Sequence, residues 1–319
     1  MRVLLTGKEG QLGQALCAAA PTEWALLACD RQELDITHAE QVLQCVRRWQ
    51  PELIINTAAF TQVDVAEREQ HTAWQVNVLG PAHLARAARD CAASLLHFST
   101  DYVFAGQEEQ VFNETDSPQP LNYYGYSKWQ GEQQVLEILP QAKVIRTAWL
   151  FSPFGRNFVR TMLHLALRQP VLRIVDDQRG CPTSALQLAR YLPALATPSL
   201  PGGIYHLAGS PAVSWFEFAE AIFRCAVECG WPAVRLPHLQ PIASADFAQV
   251  APRPSSSILC SERSQAVLGA ATQCILPSST NIAPLTLDWR LALPEVVRTL
   301  LRTDPVLHAV CASSMRDDA

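Results

Sequence analysis

The sequence predicts an α/β protein, with a doubly wound parallel sheet followed by a smaller C-terminal region. Short apolar strands alternate with amphipathic helices along the first half, and a glycine-rich turn separates the first strand from the first helix. Of the 319 residues, 49% are hydrophobic and 17% are charged, so the chain can bury a core larger than one compact domain needs. These observations favour one large domain with a smaller companion.

The elements of residues 1–150 follow one another in strict alternation. Strands are predicted at RVLLT, WALLAC, ELIINTAA, SLLHFST and KVIRTAW. Helices are predicted from Gln11 to Ala19, around Val42 to Trp49, from Ala73 to Ala93, and from near Tyr124. Right-handed crossovers then place helices over both faces of a parallel sheet. Ligands of such sheets bind beyond the carboxyl ends of the strands. The residues predicted at those ends are Gly7, Asp30, Ala58, Thr100 and Trp149.

Residues 151–302 are less regular and are expected to form mainly a substrate-binding region, with some segments returning to the sheet. Helices are predicted near Asn157 to Arg168 and Trp215 to Cys229, between proline-rich connections. The tract ATQCILPSST resembles an insertion before LDWRLAL. Residues 303–319 have little to bury and are expected to form a disordered tail.

Composition argues against several other classes of function. A net charge of -5 disfavours nucleic-acid binding, which depends on Lys and Arg neutralising phosphates. No apolar run approaches the roughly 20 residues that span a bilayer, and no signal-peptide pattern precedes the first strand, so we expect a cytoplasmic protein without a membrane role. Cys225 and Cys229 share a helical face, but no second close pair accompanies them at zinc-site spacing, so no metal site is predicted.

The segment TGKEGQLG indicates a Rossmann-type dinucleotide site. Gly7, Gly10 and Gly13 lie between a strand and a helix, where a tight turn and a close approach to a diphosphate favour residues without Cβ. The N-terminus of the following helix offers free N–H groups to phosphates. Asp30 ends the second strand, where it can bond ribose hydroxyls and repel a 2′-phosphate, whereas Arg31 could bind that phosphate. The choice between NADH and NADPH is therefore open.

The segment NYYGYSK contains a candidate proton donor. Tyr124 and Lys128 are four residues apart and so share one face of a helix. A nearby ammonium favours the phenolate, which makes the tyrosine a more competent acid at neutral pH. Ser99 and Thr100 end the preceding strand, where a hydroxyl could bond a substrate carbonyl. The alternative is a half-buried aromatic residue beside a solvated lysine.

Together, TGKEGQLG, STDYVF, YYGYSK and DQRGCPT resemble the extended short-chain dehydrogenase/reductases and, within them, the dTDP-4-dehydrorhamnose reductases. The similarity runs from Met1 to about Leu300 and includes RTAWLF, GIYHLAG and RPSSSIL. The resemblance implies transfer of a hydride from NADPH or NADH to C4 of dTDP-4-dehydro-L-rhamnose. The product would be dTDP-L-rhamnose, a nucleotide sugar for cell-surface polysaccharides.

The same resemblance implies roles for individual residues. Tyr124 would protonate the new alkoxide, Lys128 would bind the nicotinamide ribose and lower the tyrosine pKa, and Thr100 would orient the carbonyl. The implied cofactor-binding residues are Gly7, Gly10, Gln11, Leu12, Gly13, Asp30, Arg31, Asp35, Ile36, Ala58, Ala59, Thr61, Tyr124 and Lys128. The implied substrate-binding residues are Thr100, Asp101, Val103, Trp149, Asn157, Gln178, Gly180, Pro182, Thr183 and Arg253.

Three alternatives accompany this interpretation. A nucleotide-sugar dehydratase would typically have Asp-Glu after the threonine, and here Thr100 is followed by Asp101 and Tyr102. A non-catalytic NAD(P)-binding subunit, resembling the beta subunit of methionine adenosyltransferase, is a second alternative. A 4-ketoreductase for another dTDP-6-deoxyhexose is the third, because Arg179 and Cys181 depart from the residues frequent in the DQRGCPT loop. The oligomeric state is open, a homodimer being one option.

Overall fold

Six parallel strands form the central sheet, in the order Gly203–His206, Lys143–Thr147, Ser94–Thr100, Leu53–Asn56, Arg2–Thr6 and Ala25–Cys29. The computed structural model describes residues 1–107, 109–198, 200–275 and 287–317. The first half contains β1 (Arg2–Thr6), α1 (Gln11–Ala19), β2 (Ala25–Cys29), α2 (Ala39–Trp49), β3 (Leu53–Asn56), α3 (Val63–Ala66), α4 (Gln70–Trp74), α5 (Gly80–Asp90), β4 (Ser94–Thr100), β5 (Val111–Phe112), α6 (Tyr123–Ile138) and β6 (Lys143–Thr147). The predicted doubly wound parallel sheet is confirmed.

The second half contains β7 (Leu150–Phe151), α7 (Phe158–Ala166), β8 (Val171–Val175), β9 (Arg179–Gly180), β10 (Thr183–Ser184), α8 (Ala185–Ala189), α9 (Leu192–Ala196), β11 (Gly203–His206), β12 (Val213–Ser214), α10 (Trp215–Glu228), β13 (His238–Ile242), β14 (Ile258–Leu259), α11 (Glu262–Ile275), α12 (Trp289–Thr303) and α13 (Pro305–Asp317). Strand β11 pairs with β6 and thereby extends the central sheet. The predicted insertion at residues 271–280 lies partly outside the described residues, which stop at 275 and resume at 287.

Both faces of the sheet are buried, and successive residues of β1 show how. Val3 and Leu5 pack on the side of α1, α8 and α9, whereas Leu4 packs on the side of α2 and α5. Alternation of this kind follows from the two-residue period of a strand. The chain reverses its winding between β1 and β3, because β1 has β2 on one side and β3 on the other. Ligands of doubly wound folds bind at this point.

The long helix predicted from Ala73 to Ala93 is in fact three segments. Helix α4 ends at Trp74, a π-helical turn covers Gln75–Leu79, and α5 begins at Gly80. Pro81 lacks an N–H and therefore cannot bond the carbonyl of Asn77 as a regular helix would require. A Cβ at Gly131 would lie 2.0 Å from that carbonyl oxygen, so the glycine lets α6 approach the irregular turn.

A second apolar core lies between α7, α10, α12 and β8. It includes Leu307 and Val310 of α13, so this part of the predicted disordered tail is helical and packs on the core. Asp304 begins this helix: its Oδ1 accepts bonds from the N–H groups of Val306 and Leu307. The last residues of the chain are polar, and sequence reasoning therefore overlooked the apolar residues that precede them. Within the described residues, the structure has no helix of the length and apolarity that crossing a membrane requires.

Candidate active site

A continuous groove crosses the carboxyl ends of β1, β3 and β4. It consists of two cavities of about 360 and 380 Å³. The first cavity is lined by residues that follow β1 and β2, and the second is lined by the first turns of α1 and α6. Both cavities are lined by Glu9, Gly10, Thr57, Ala59 and Thr61.

The glycine turn forms the floor between the two cavities. Gly7 has φ +79°, and a Cβ there would lie 2.6 Å from the backbone nitrogen of Ala58. A Cβ at Gly13 would lie 2.2 Å from the carbonyl oxygen of Gly7. Gly10 precedes α1 without a capping side chain, so the first N–H groups of the helix are open to an anion. The turn fits the diphosphate of a dinucleotide, as the sequence predicts.

Charged side chains surround the adenosine end of the groove. Asp30 Oδ1 accepts bonds from the backbone N–H groups of Gln32 and Glu33, which hold the pKa of Asp30 below its usual value. Lys8 Nζ lies 3.6 Å from Asp30 Oδ2 and 2.5 Å from Glu33 Oε2. Sequence reasoning missed Lys8, although it is the first residue after Gly7.

Arg31 and Asp35 lie beside this cluster in the same cavity. The two side chains are already paired, with Arg31 Nε 3.3 Å from Asp35 Oδ2. Ile36 is buried and, with Ala58, contributes apolar lining to this cavity. Cationic and carboxylate side chains thus lie together at the end of the groove that would hold the adenosine ribose. This mixture of charges suits either NADH or NADPH.

Tyr124 and Lys128 line the other cavity together with Gln11 and Leu12. Lys128 Nζ donates to the carbonyl oxygen of Phe98 at 2.7 Å. Burial lowers the pKa of Lys128 to about 8, against the opposing charge of Glu132. The two candidate catalytic groups therefore face one cleft.

The expected depression of the tyrosine pKa is wrong for this structure. Burial raises the pKa of Tyr124 to about 12, and a bond with the Thr100 hydroxyl only partly offsets it. The Lys128 ammonium is engaged with the strand carbonyl. Tyr124 therefore keeps its proton at neutral pH.

Asp101 supports Thr100 from behind. Thr100 Oγ1 donates to Asp101 Oδ1 at 3.1 Å, and Ser257 Oγ donates to Asp101 Oδ2 at 2.5 Å. Burial raises the pKa of Asp101 to about 6. Asp101 is 2% exposed, so its carboxylate is placed to orient the threonine, and its contact with substrate stays a prediction.

The residues expected on the substrate side are divided between the groove wall and the interior. The Trp149 ring stacks on Trp215 at a centroid distance of 3.4 Å and packs against Gly180, where a Cβ would lie 2.4 Å from the ring. Sequence reasoning missed Trp215, the first residue of α10. Arg253 interacts with the Tyr102 hydroxyl, and the Tyr102 ring lies edge-on to Tyr124 at 5.9 Å.

Other members of that set make structural contacts. Val103 is fully buried in an apolar cluster with Phe104, and Thr183 is fully buried, accepting a bond from the N–H of Gly209. Pro182 is buried as well. Contact of these three residues with substrate, which the resemblance implied, stays a prediction. Two further members bond neighbouring segments: Asn157 caps α7, and Gln178 donates to Ser244 Oγ.

Comparison with known proteins agrees with this geometry. Residues 1–275 match the family model described as the RmlD substrate binding domain. The dTDP-4-dehydrorhamnose reductase of Aggregatibacter actinomycetemcomitans is 39% identical, over 92% of this chain and 98% of the relative. The Escherichia coli K12 enzyme of the same name is 33% identical, over 96% and 100%.

Solved structures give the same result. The crystal structure of a dTDP-4-dehydrorhamnose reductase from Clostridium acetobutylicum has a TM-score of 0.82 and 32% identity, covering 94% of this chain and 99% of its own. The Bacillus anthracis enzyme in complex with NADP has a TM-score of 0.80 and 34% identity, covering 92% and 98%. This chain therefore belongs to the dTDP-4-dehydrorhamnose reductase family.

Proposed function

We propose that this protein is an NAD(P)H-dependent oxidoreductase that reduces the C4 keto group of dTDP-4-dehydro-L-rhamnose to give dTDP-L-rhamnose. The observation that carries the proposal is the groove itself. At one end lies the glycine turn that fits a dinucleotide diphosphate, and at the other lie Tyr124 and Lys128. In a member of this family, such a groove would hold a hydride donor beside a proton donor.

The side chains have complementary tasks in this reaction. When bound, NADPH or NADH supplies the hydride. Tyr124 holds its proton at neutral pH, because its pKa is about 12, and it donates that proton to the oxygen that gains charge at C4. Thr100 donates its hydroxyl proton to Asp101 Oδ1 in this structure, so the hydroxyl would have to turn away from Asp101 to bond the same oxygen. Lys128 is largely protonated at neutral pH, so its ammonium can bind ribose hydroxyls and stabilise negative charge in a water-poor cleft.

Reduction of another dTDP-6-deoxy-4-keto sugar is the second candidate function. A relative from Streptomyces antibioticus, 35% identical over 95% of this chain and 97% of its own, is described as a probable dTDP-4,6-dihydroxy-2-methyloxan-3-one 4-ketoreductase. Both candidate reactions use the same proton donor and hydride donor. They differ in the sugar that must fit beside Trp149 and Gly180.

Product analysis tests the proposal. Purified protein is incubated with dTDP-4-dehydro-L-rhamnose and either NADPH or NADH, the loss of reduced cofactor is followed by absorbance, and the configuration at C4 is determined by NMR. We expect turnover to dTDP-L-rhamnose. Turnover of only a different 4-keto sugar would favour the second candidate. Folded protein that binds NADPH but oxidises none would favour the non-catalytic regulatory subunit.

A further inference from the structure

An ion pair joins two distant parts of the chain beside the cleft. Asp64 lies on α3, shortly after the segment that lines the cofactor cavities, and Arg253 belongs to the second half. Arg253 Nη1 lies 2.5 Å from Asp64 Oδ1, and Nη2 lies 2.8 Å from Oδ2. Two parallel bonds between a guanidinium and a carboxylate fix orientation as well as distance. The pair therefore sets the direction of the arginine side chain.

Asp64 also holds the backbone around that arginine. Its Oδ1 accepts bonds from the N–H groups of Val250 at 3.1 Å and Ala251 at 2.9 Å. Asn122, which caps α6, donates to the carbonyl oxygen of Pro252 at 2.9 Å. Residues 250–253, here called the docked segment, are thus held against the cofactor half by two side chains.

Docking also brings the guanidinium beside Tyr102, whose ring packs against that of Tyr124. Arg253 interacts with the Tyr102 hydroxyl, and Tyr102 lies edge-on to Tyr124. The side chain of Arg253 is only 15% exposed, whereas that of Asp64 is 42% exposed. The arginine holds the pKa of Asp64 well below its usual range, so the carboxylate stays charged at any pH at which the enzyme works.

We propose that Asp64 is a positioning residue for the anionic diphosphate of the nucleotide-sugar substrate. It docks residues 250–253 and presets the Arg253 guanidinium, so that the flexible side chain loses little further freedom when the diphosphate binds. This inference rests on the proposed function, because it assumes a dTDP-linked substrate. Asp64 acts through Arg253 and takes no part in the chemistry.

The test uses the full-length variants Asp64→Asn and Arg253→Gln, and their combination. Glu69→Gln is the matched control. Glu69 is an exposed carboxylate on the neighbouring turn, and this variant removes the same charge as Asp64→Asn does. Dissociation constants for dTDP and for NADPH are measured by calorimetry, and hydrogen exchange is measured over the docked segment. We expect Asp64→Asn to weaken dTDP about tenfold, to leave NADPH within about twofold, and to speed exchange at the docked segment. Adding it to Arg253→Gln should cost little more, as for two residues acting as one unit.

Four other outcomes overturn the inference. Unchanged or tighter dTDP binding in Asp64→Asn would mean that the carboxylate does not prepare the arginine. Equal weakening of dTDP and NADPH would mean a general structural role. Full additivity in the double variant would mean that Asp64 does not act through Arg253. Wild-type protein that binds no dTDP would overturn the proposed function itself, and this inference with it.

Discussion

Tyr124 is the residue on which the proposed chemistry depends most directly. Replacing it by Phe removes the proton donor and keeps the ring that packs against Tyr102. We expect kcat to fall by about 10²- to 10⁴-fold, the usual contribution of a general acid, while the Kd for NADPH stays close to that of the wild type. Stopped-flow reduction and fluorescence titration give the two values. Tyr126→Phe is the control, since Tyr126 is 38% exposed at the helix surface; near-normal turnover in Tyr124→Phe would reject the assignment.

The ionisation of Lys128 predicts the alkaline limb of the pH profile. Burial lowers its pKa to about 8, so the ammonium is present below that pH and is lost as the pH rises through it. We therefore expect the Kd for NADPH to increase above about pH 8, because the neutral amine holds ribose hydroxyls less strongly. A titration of cofactor binding between about pH 7 and pH 9.5 measures this limb.

Lys143 supplies the control for that profile. Its pKa is also lowered to about 8, but its Nζ donates to the carbonyl oxygens of Leu195 and Thr197, on the far side of the sheet. Lys143→Met should leave unchanged the pH at which NADPH binding weakens. If the weakening of NADPH binding above about pH 8 disappeared in Lys143→Met and persisted in Lys128→Met, its assignment to Lys128 would be wrong.

Sequence reasoning identified site residues whose role follows from local spacing. The glycines of the turn and the pair Tyr124 and Lys128 depend on one strand end or one helical turn, so their placement could be predicted. Lys8, Asp64 and Trp215 could not be found in this way, because each lies near the site through contact with a partner from another segment. The tyrosine pKa was misjudged for a related reason: burial depends on the whole fold, whereas the distance to Lys128 depends on one helix.

At the scale of elements, helix α6 carries Tyr124, Lys128 and Glu132 at successive four-residue steps. Glu132 is fully buried and accepts bonds from Arg146 of β6, whose Nη2 lies 2.7 Å from Oε2. Arg146 is also buried and lies 5.0 Å from the ring centroid of Phe104. This ion pair fixes the catalytic helix along the sheet, so the positions of both catalytic groups depend on it.

Replacing one partner of the Glu132–Arg146 pair should lower the free energy of unfolding more than replacing both partners by apolar residues. Glu132→Gln leaves the Arg146 guanidinium buried without its counter-charge, and we expect the free energy of unfolding to fall by about 3 kcal/mol. The double variant Glu132→Met with Arg146→Met replaces both charges by apolar groups, and it should lie within about 1.5 kcal/mol of the wild type. Urea unfolding followed by far-UV circular dichroism measures both. If the single and double variants lost the same free energy of unfolding, the pairing of the two charges would not be what determines stability here.

The elements were predictable where one residue pattern dominates. Buried strands such as β1 and β4 are short continuous apolar runs, and their positions follow from the sequence. The break at Gln75–Leu79 escaped prediction because its apolar spacing remains helical while Pro81 removes one backbone donor. Helix α13 escaped because its stability comes from Leu307 and Val310 packing on a distant core rather than from its own composition.

At the scale of the whole molecule, the two halves of the chain share one core. Helices α8 and α9 belong to the second half, yet they pack against α1 and the strands of the first. Leu186 contacts this core and also the second one around α10 and α12. Strand β11 adds to this continuity by pairing with β6. Cofactor binding by the first half should therefore depend on packing contributed by the second.

Leu188→Ala tests that dependence. Leu188 is 1% exposed on α8 and packs in the shared core, so we expect a loss of about 3 kcal/mol in the free energy of unfolding from the lost side chain and the cavity. Binding of NADPH and the far-UV signal should then disappear together, at the same lower urea concentration, because one cooperative unit unfolds. Leu291→Ala is the control, since Leu291 is 67% exposed on α12. Binding of NADPH that persists beyond the loss of far-UV signal would show that the cofactor half folds independently of α8.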